Sequence, residues 1–199
     1  MDRKAINEII IKRMGIKRPV DNLPYGSGRG YDRNTLARLL GELKYNTGAE
    51  VGVRRGRFSK YLCDNNPDLH LFCVDPWGPY SNKYTQVRQD AIFAQYLEFT
   101  KGCNITTVRK ASMDALADFK DGGLDFVFID GNHQYDFVAP DIIEWSKKVR
   151  QNGIVMVHDY YAFGWSGVVQ AVDGYTFCHD IRPWFVTKEL EPTAYWVKP

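Results

Sequence analysis

Residues 125–135 read DFVFIDGNHQY, and this stretch decides the fold. Four apolar residues in succession, Phe126, Val127, Phe128 and Ile129, suit a strand covered on both faces. The run delivers Asp130 and His133 to the carboxyl edge of a sheet, where open α/β folds bind their ligands. A second delivery of the same kind follows in IVMVHDY at 154–160, which brings His158 and Asp159 to a neighbouring strand end.

Outward from this stretch, short apolar runs alternate with helical patterns. Strands are expected at 49–53, 69–74, 105–108, 124–129 and 154–158, and helices at 58–65, 83–100, 113–119, 135–150 and 168–172. Val138, Ile142, Trp145 and Val149 place an apolar stripe on the helix that follows Ile129. Such alternation specifies a parallel sheet with both faces covered. Two amphipathic helices, at 5–14 and about 34–45, precede the series, separated by a segment rich in proline and glycine at 15–30. The tail differs: WFV at 184–186 and AYWV at 194–197 flank Glu191-Pro192-Thr193 and suit a terminal antiparallel hairpin. The expected fold is an α/β, Rossmann-like, seven-stranded and mostly parallel sheet with helices on both faces.

Length and composition bound the rest. The 199 residues, 44% hydrophobic, suffice for one substantial core, so a single domain is expected over 1–199, with helices and a loop or lid at 1–47 and a ligand-binding core at 48–199. A formal net charge of +2 gives no polyanion-binding bias, so nucleic acid is not an expected partner. No apolar run approaches the ~20 residues of a membrane span, and the charge-punctuated start does not resemble a signal peptide. A cytoplasmic location without membrane association is the expectation, and homo-oligomerisation stays open. Cys63, Cys73, Cys103 and Cys178 lie far apart without zinc-ligand spacing and read as reduced thiols.

A ligand site is written into the first core strand. EVGVRRG at 50–56 sets an acidic residue at a strand end, then Gly52 and Gly56 as the chain turns into a helix. Glycines let a ligand lie on the backbone, and a helix start offers free N–H groups to an anion. The turn lacks the G-x-G-x-x-G that seats a dinucleotide pyrophosphate. Asp75, at the end of the next strand, is placed to accept both hydroxyls of a ribose. Trp77, Tyr80, Tyr84, Tyr160, Tyr161, Phe163 and Trp165 are candidate walls of an acceptor pocket, with ordinary packing as the alternative. His70 and His179 read as structural, and the basic face of the first helix as solvated.

From about residue 48 to 197 the pattern resembles the class I S-adenosylmethionine-dependent methyltransferases, especially the small-molecule O-methyltransferases of the macrocin and catechol types. The resemblance implies that Glu50, Gly52 and Gly56 hold the methionyl part of the cofactor, that Asp75 with neighbouring Trp77 serves the ribose, and that Ser112 and Met113 contact the adenine. The Asp130-Gly131-x-His133-x-Tyr135 stretch is similar to the family's fourth motif, with Asp130 at the cofactor and in the catalytic set. Metal-dependent members bind magnesium through carboxylates at the positions of Asp130 and Asp159. Where catechol-type enzymes follow the second carboxylate with an asparagine ligand, this chain has Tyr160. A metal-free arrangement, in which Asp130 contacts the cofactor and Asp159 bonds locally, therefore stays open beside the magnesium one.

The implied reaction is in-line attack of an acceptor oxygen on the sulfonium methyl, with His133 as the base. The acceptor is a small molecule with a phenolic or sugar hydroxyl. A nicotinamide-dependent oxidoreductase and a non-catalytic cofactor-binding protein are the competing expectations, since fold analogy does not separate them.

Overall fold

The computed structural model describes residues 1–17, 23–161 and 166–199. Helix α1 (Arg3–Arg13) is capped by the Asp2 side chain, and α2 (Arg33–Glu42) by Asp32, each accepting from a first-turn N–H. Between them a two-residue strand β1 (Tyr25–Gly26) forms. The series continues with β2 (Thr47–Val51), α3 (Arg57–Asn65), β3 (His70–Val74), α4 (Gln86–Phe99) and β4 (Ile105–Val108). A short α5 (Ser112–Ala115) runs into a 3-10 turn, and β5 (Leu124–Ile129), α6 (Tyr135–Lys148), β6 (Val149–Val157), α7 (Val168–Cys178), β7 (Phe185–Val186) and β8 (Ala194–Val197) complete it.

The strands form one sheet in the order β1-β7-β8-β6-β5-β2-β3-β4. From β6 through β4 every pairing is parallel, while β8 runs antiparallel to both β6 and β7. Side chains alternate across the sheet with period two. Phe126 and Phe128 face a core shared with α1 to α4, whereas Val127 and Ile129 face one shared with α6 and α7. The order reverses between β2 and β5, so the chain leaves these neighbouring strands toward opposite faces and opens a crevice at their carboxyl ends.

The arm differs from the expected loop or lid. Pro19 and its neighbours from 18 to 22 lie outside the described residues, but Tyr25 N donates to Trp184 O at 2.9 Å and Ser27 N to Val186 O at 2.8 Å. Residues 25–27 are thus laid along β7 and add an eighth strand to the seven expected. Two residues are too few for a period-two pattern to register, which is why this strand escaped sequence reading. Among the described residues no helix is long and apolar enough to cross a membrane, and all four cysteines are free thiols.

Candidate active site

The glycine turn is shaped by its neighbours within the chain. Gly52 has φ +89°, and a Cβ there would stand 2.2 Å from the Asp130 carbonyl oxygen; Gly56 has φ +70° and lies against Tyr96 and Thr100 of α4. Both glycines therefore serve close backbone and helix approach as well as the turn itself. Gly56 leaves α3 without a side-chain cap, so the first-turn N–H groups are open to an anionic ligand.

Asp75 ties this turn to the next strand end. Its Oδ2 accepts from Val53 N and Arg54 N at 3.0 and 2.9 Å, and its Oδ1 accepts from Trp77 N at 2.7 Å. Two residues expected to touch a cofactor lie beneath the turn instead. Glu50 is 2% exposed and accepts from the Ser59 hydroxyl; burial pushes its carboxyl up to about 8, although Ser59 opposes the rise. Trp77 is buried against Phe93 and Tyr96 and donates its indole N–H to Arg54 O. The Ser112 hydroxyl is bound to Asp141, while the neighbouring Met113 is exposed.

At the ends of β5 and β6 the four expected residues meet. His133 Nε2 lies 3.0 Å from Asp159 Oδ2 and 3.6 Å from Asp130 Oδ1, and His158 Nδ1 lies 3.4 and 3.3 Å from the same two oxygens. Hydrogen bonds to Asp130 and Asp159 raise His133 to about 9, against the cost of burial. Burial disfavours both carboxylates, yet His133 and His158 overcome it and hold Asp130 below, and Asp159 well below, the ordinary range. Asp159 also sits at φ +60°, a conformation that aspartate tolerates better than most residues.

Arg33, at the start of α2, joins this cluster from 125 positions away and places its guanidinium on His158 Nε2. Burial lowers the His158 pKa, and the two carboxylates outweigh it and raise the ring to about 9. A proton on Nε2 would nevertheless set two N–H groups head to head, since arginine only donates. Nδ1, on the other side of the ring, faces the two carboxylates. Sequence reasoning missed Arg33; the N-cap signal of Asp32 marked the helix start, but nothing local tells that its first residue points across the sheet. Tyr160 turns away, donating its hydroxyl to Asp173 Oδ1 on α7 at 2.7 Å.

Asp130, His133 and Asp159 each offer a donor atom, all within 4.8 Å of one another. Asp159 Oδ1 is buried without a hydrogen-bond partner among the described residues. The two carboxylates suit a hard divalent cation, and the His133 nitrogen stands beside them. Of the aromatic candidates, Tyr80 and Tyr84 stack on each other at 4.6 Å near the surface, and Phe163 and Trp165 lie outside the described residues. His70 bonds Thr106 and His179 packs on Tyr175, both away from the cluster. A cleft of about 600 Å³ between Arg3, Tyr25 and Pro183 contains none of these residues.

A family model described as a methyltransferase domain matches residues 49–160. An uncharacterised protein of Acanthamoeba polyphaga mimivirus is 26% identical over 124 residues, covering 60% of this chain and 54% of that protein. An uncharacterised protein of Sinorhizobium fredii is 29% identical over 117 residues, 56% of this chain but 12% of its own length. The chain thus spans about half of one curated relative and an eighth of the other. Among solved structures, the O-methyltransferase NovP superposes with a TM-score of 0.64 at 17% identity, over 83% of this chain and 79% of its own. TomG of Streptomyces achromogenes, an O-methyltransferase of tomaymycin synthesis solved in complex with SAM, superposes with a TM-score of 0.56 at 16% identity over 100% of both chains. At these identities the structural likeness bears on the fold.

Proposed function

The chain belongs to the methyltransferase-domain family, and we propose that it transfers the methyl group of S-adenosylmethionine to a phenolic or sugar hydroxyl of a small molecule, with a divalent cation such as magnesium at Asp130 and Asp159. The observation that carries this reading is the convergence of Asp130, His133 and Asp159 at two adjacent strand ends beside the glycine turn. Bound S-adenosylmethionine supplies a methyl group on a sulfonium that is already a good leaving group, and a bound cation makes a hydroxyl easier to deprotonate.

The chain's own residues orient and manage the proton. The uncapped start of α3 receives the anionic end of the cofactor, while Asp75 holds the turn and faces the ribose. The acceptor hydroxyl attacks in line, and its proton passes to His133 Nε2. His133 accepts that proton only in its neutral form, which it reaches more readily once another cation matches the charge of Asp130 and Asp159. Arg33 holds the His158 ring through Nε2, with Nδ1 turned to the two carboxylates.

Isothermal titration calorimetry with S-adenosylhomocysteine, with and without magnesium, tests the reading. Micromolar binding that weakens ~10-fold or more in Asp75→Ala is expected, because both the turn and the ribose contact are lost. Absence of binding by the wild type under either condition would overturn the cofactor assignment. Binding that ignores magnesium, manganese and zinc alike would remove the cation and leave the histidine-neutralised carboxylates as the working site.

A further inference from the structure

Glu189 grips Arg33 at two points. Its Oε1 accepts from Arg33 N at 2.9 Å, and its Oε2 stands 3.8 Å from Arg33 Nε. The Thr187 hydroxyl donates to the same Oε1 at 2.8 Å and itself accepts from Thr193 N at 2.8 Å, so the carboxylate is fixed to the turn between β7 and β8. The backbone repeats this docking, because Lys188 N donates to Tyr31 O at 3.0 Å. Arg33 opens α2, where Asp32 caps the N–H of Thr35 and leaves that of Arg33 itself to Glu189. A guanidinium held at Nε still has its terminal nitrogens with which to reach onward, and Nη1 lies on His158 Nε2.

The same turn also holds the segment that carries the histidine. Pro192 O accepts from Tyr160 N at 2.8 Å, one residue beyond Asp159. The turn at 187–193 therefore ties together segments 31–33 and 158–160, whose side chains meet at His158. An arginine stem left to itself samples many rotamers, and a second anchor removes that freedom. The side chains of Arg33 and Glu189 are 31% and 16% exposed, so this pair is shielded, unlike a surface ion pair that holds little. We infer that Glu189 is a positioning residue of the site: it aims Arg33 at His158 Nε2 and so sets Nδ1 of that ring against Asp130 and Asp159. The use of those carboxylates in catalysis rests on the methyl-transfer reading, whereas the aiming of Arg33 does not.

A double-mutant cycle followed by ¹⁵N NMR of the histidine rings tests this role in the full chain, whose four histidines give few ring signals. Glu189→Gln keeps an amide oxygen for Thr187 and Arg33 N but turns its N–H₂ toward the guanidinium, donor against donor. It should move the His158 Nε2 resonance in the same direction as Arg33→Met does, and add no further displacement once residue 33 is methionine. An unmoved resonance in Glu189→Gln, or an equal displacement with and without Arg33, overturns the inference. A merely structural Glu189 would give the first of these results, with lower stability in urea and the ring unchanged. Should Glu189→Gln fail to fold, the wild type decides: Arg33 Nε–H should exchange with water at least ~10-fold more slowly than that of exposed Arg29, and a smaller difference overturns the inference. Absence of S-adenosylhomocysteine binding by the wild type would overturn the cofactor assignment and leave the NMR cycle to decide the role of Glu189 by itself.

Discussion

Replacing Gly52 with alanine would drive a methyl group into backbone that has nowhere to go. The new Cβ would stand 2.2 Å from the Asp130 carbonyl oxygen, 2.5 Å from its carbonyl carbon and 2.7 Å from Gly131 Cα. These atoms are fixed, because Asp130 N donates to Val51 O at 2.7 Å and Gly52 N to Val74 O at 2.9 Å. The φ of +89° adds a second cost. Left-handed backbone disfavours an L-residue by about 1–2 kcal/mol, and overpacking adds about 1–3 kcal/mol; reduced entropy of the unfolded chain returns about 0.4–1 kcal/mol. The net loss is on the order of 2–4 kcal/mol. Gly102→Ala is the control, for Gly102 has φ +83° but nothing within 4 Å of its Cβ position, so it suffers the backbone cost alone, roughly 1 kcal/mol. Urea unfolding of the two variants should place Gly52→Ala at least about 1 kcal/mol below Gly102→Ala, equivalent to roughly 2–4 °C in melting temperature at this chain length. Equal destabilisation would refute the claim that the glycine turn and the β5 loop are held in backbone contact.

Four further outcomes follow from the site. His133→Ala should lower turnover ~10²-fold or more with cofactor affinity nearly unchanged; equal loss of both in kinetics and calorimetry would remove His133 from the base role. The His133 pKa of about 9 lies above the ordinary imidazole value, so its contribution to stability is full below about pH 6.5 and lost as the pH rises through about 9. The stability gap between wild type and His133→Ala, followed by urea unfolding, should accordingly narrow between pH 6 and 9.5. Glu50, pushed up to about 8 by burial, acts with the opposite charge but the same sense, since its neutral form is the one the fold prefers. Glu50→Gln should match wild type near pH 5 and exceed it by on the order of 2–4 kcal/mol at pH 9, with S-adenosylhomocysteine affinity within about threefold; a larger affinity loss would place the carboxylate at the ligand. Arg33→Met should free His158 Nε2 of its partner, visible in the ¹⁵N shifts of the ring, and reduce turnover about 10-fold; unchanged shifts would show that Arg33 does not hold the ring.

The sequence carried the sheet because its signals are local. Apolar runs of four to six residues, ending in Gly52, Asp75 and Asp130-Gly131, announce strands and their carboxyl ends whatever surrounds them, and from strand ends the meeting of Asp130, His133, His158 and Asp159 follows. The hairpin was equally plain from Glu191-Pro192-Thr193. Tertiary structure decided how those residues are used. Glu50 and Trp77 stand in the right sequence positions for ligand contact, yet α3 and α4 close over them, and burial turns the first into a raised carboxyl and the second into core. Tyr160 leaves the crevice because Asp173 on α7 offers it a partner. Arg33 enters the crevice because the N-terminal helices pack on the face of the sheet that His158 shares, a pairing of residues 125 positions apart. Period and turn chemistry are properties of a few neighbouring residues, and they are written in order along the chain. Which side chains from distant segments meet depends on strand order and helix packing, which only the folded chain fixes.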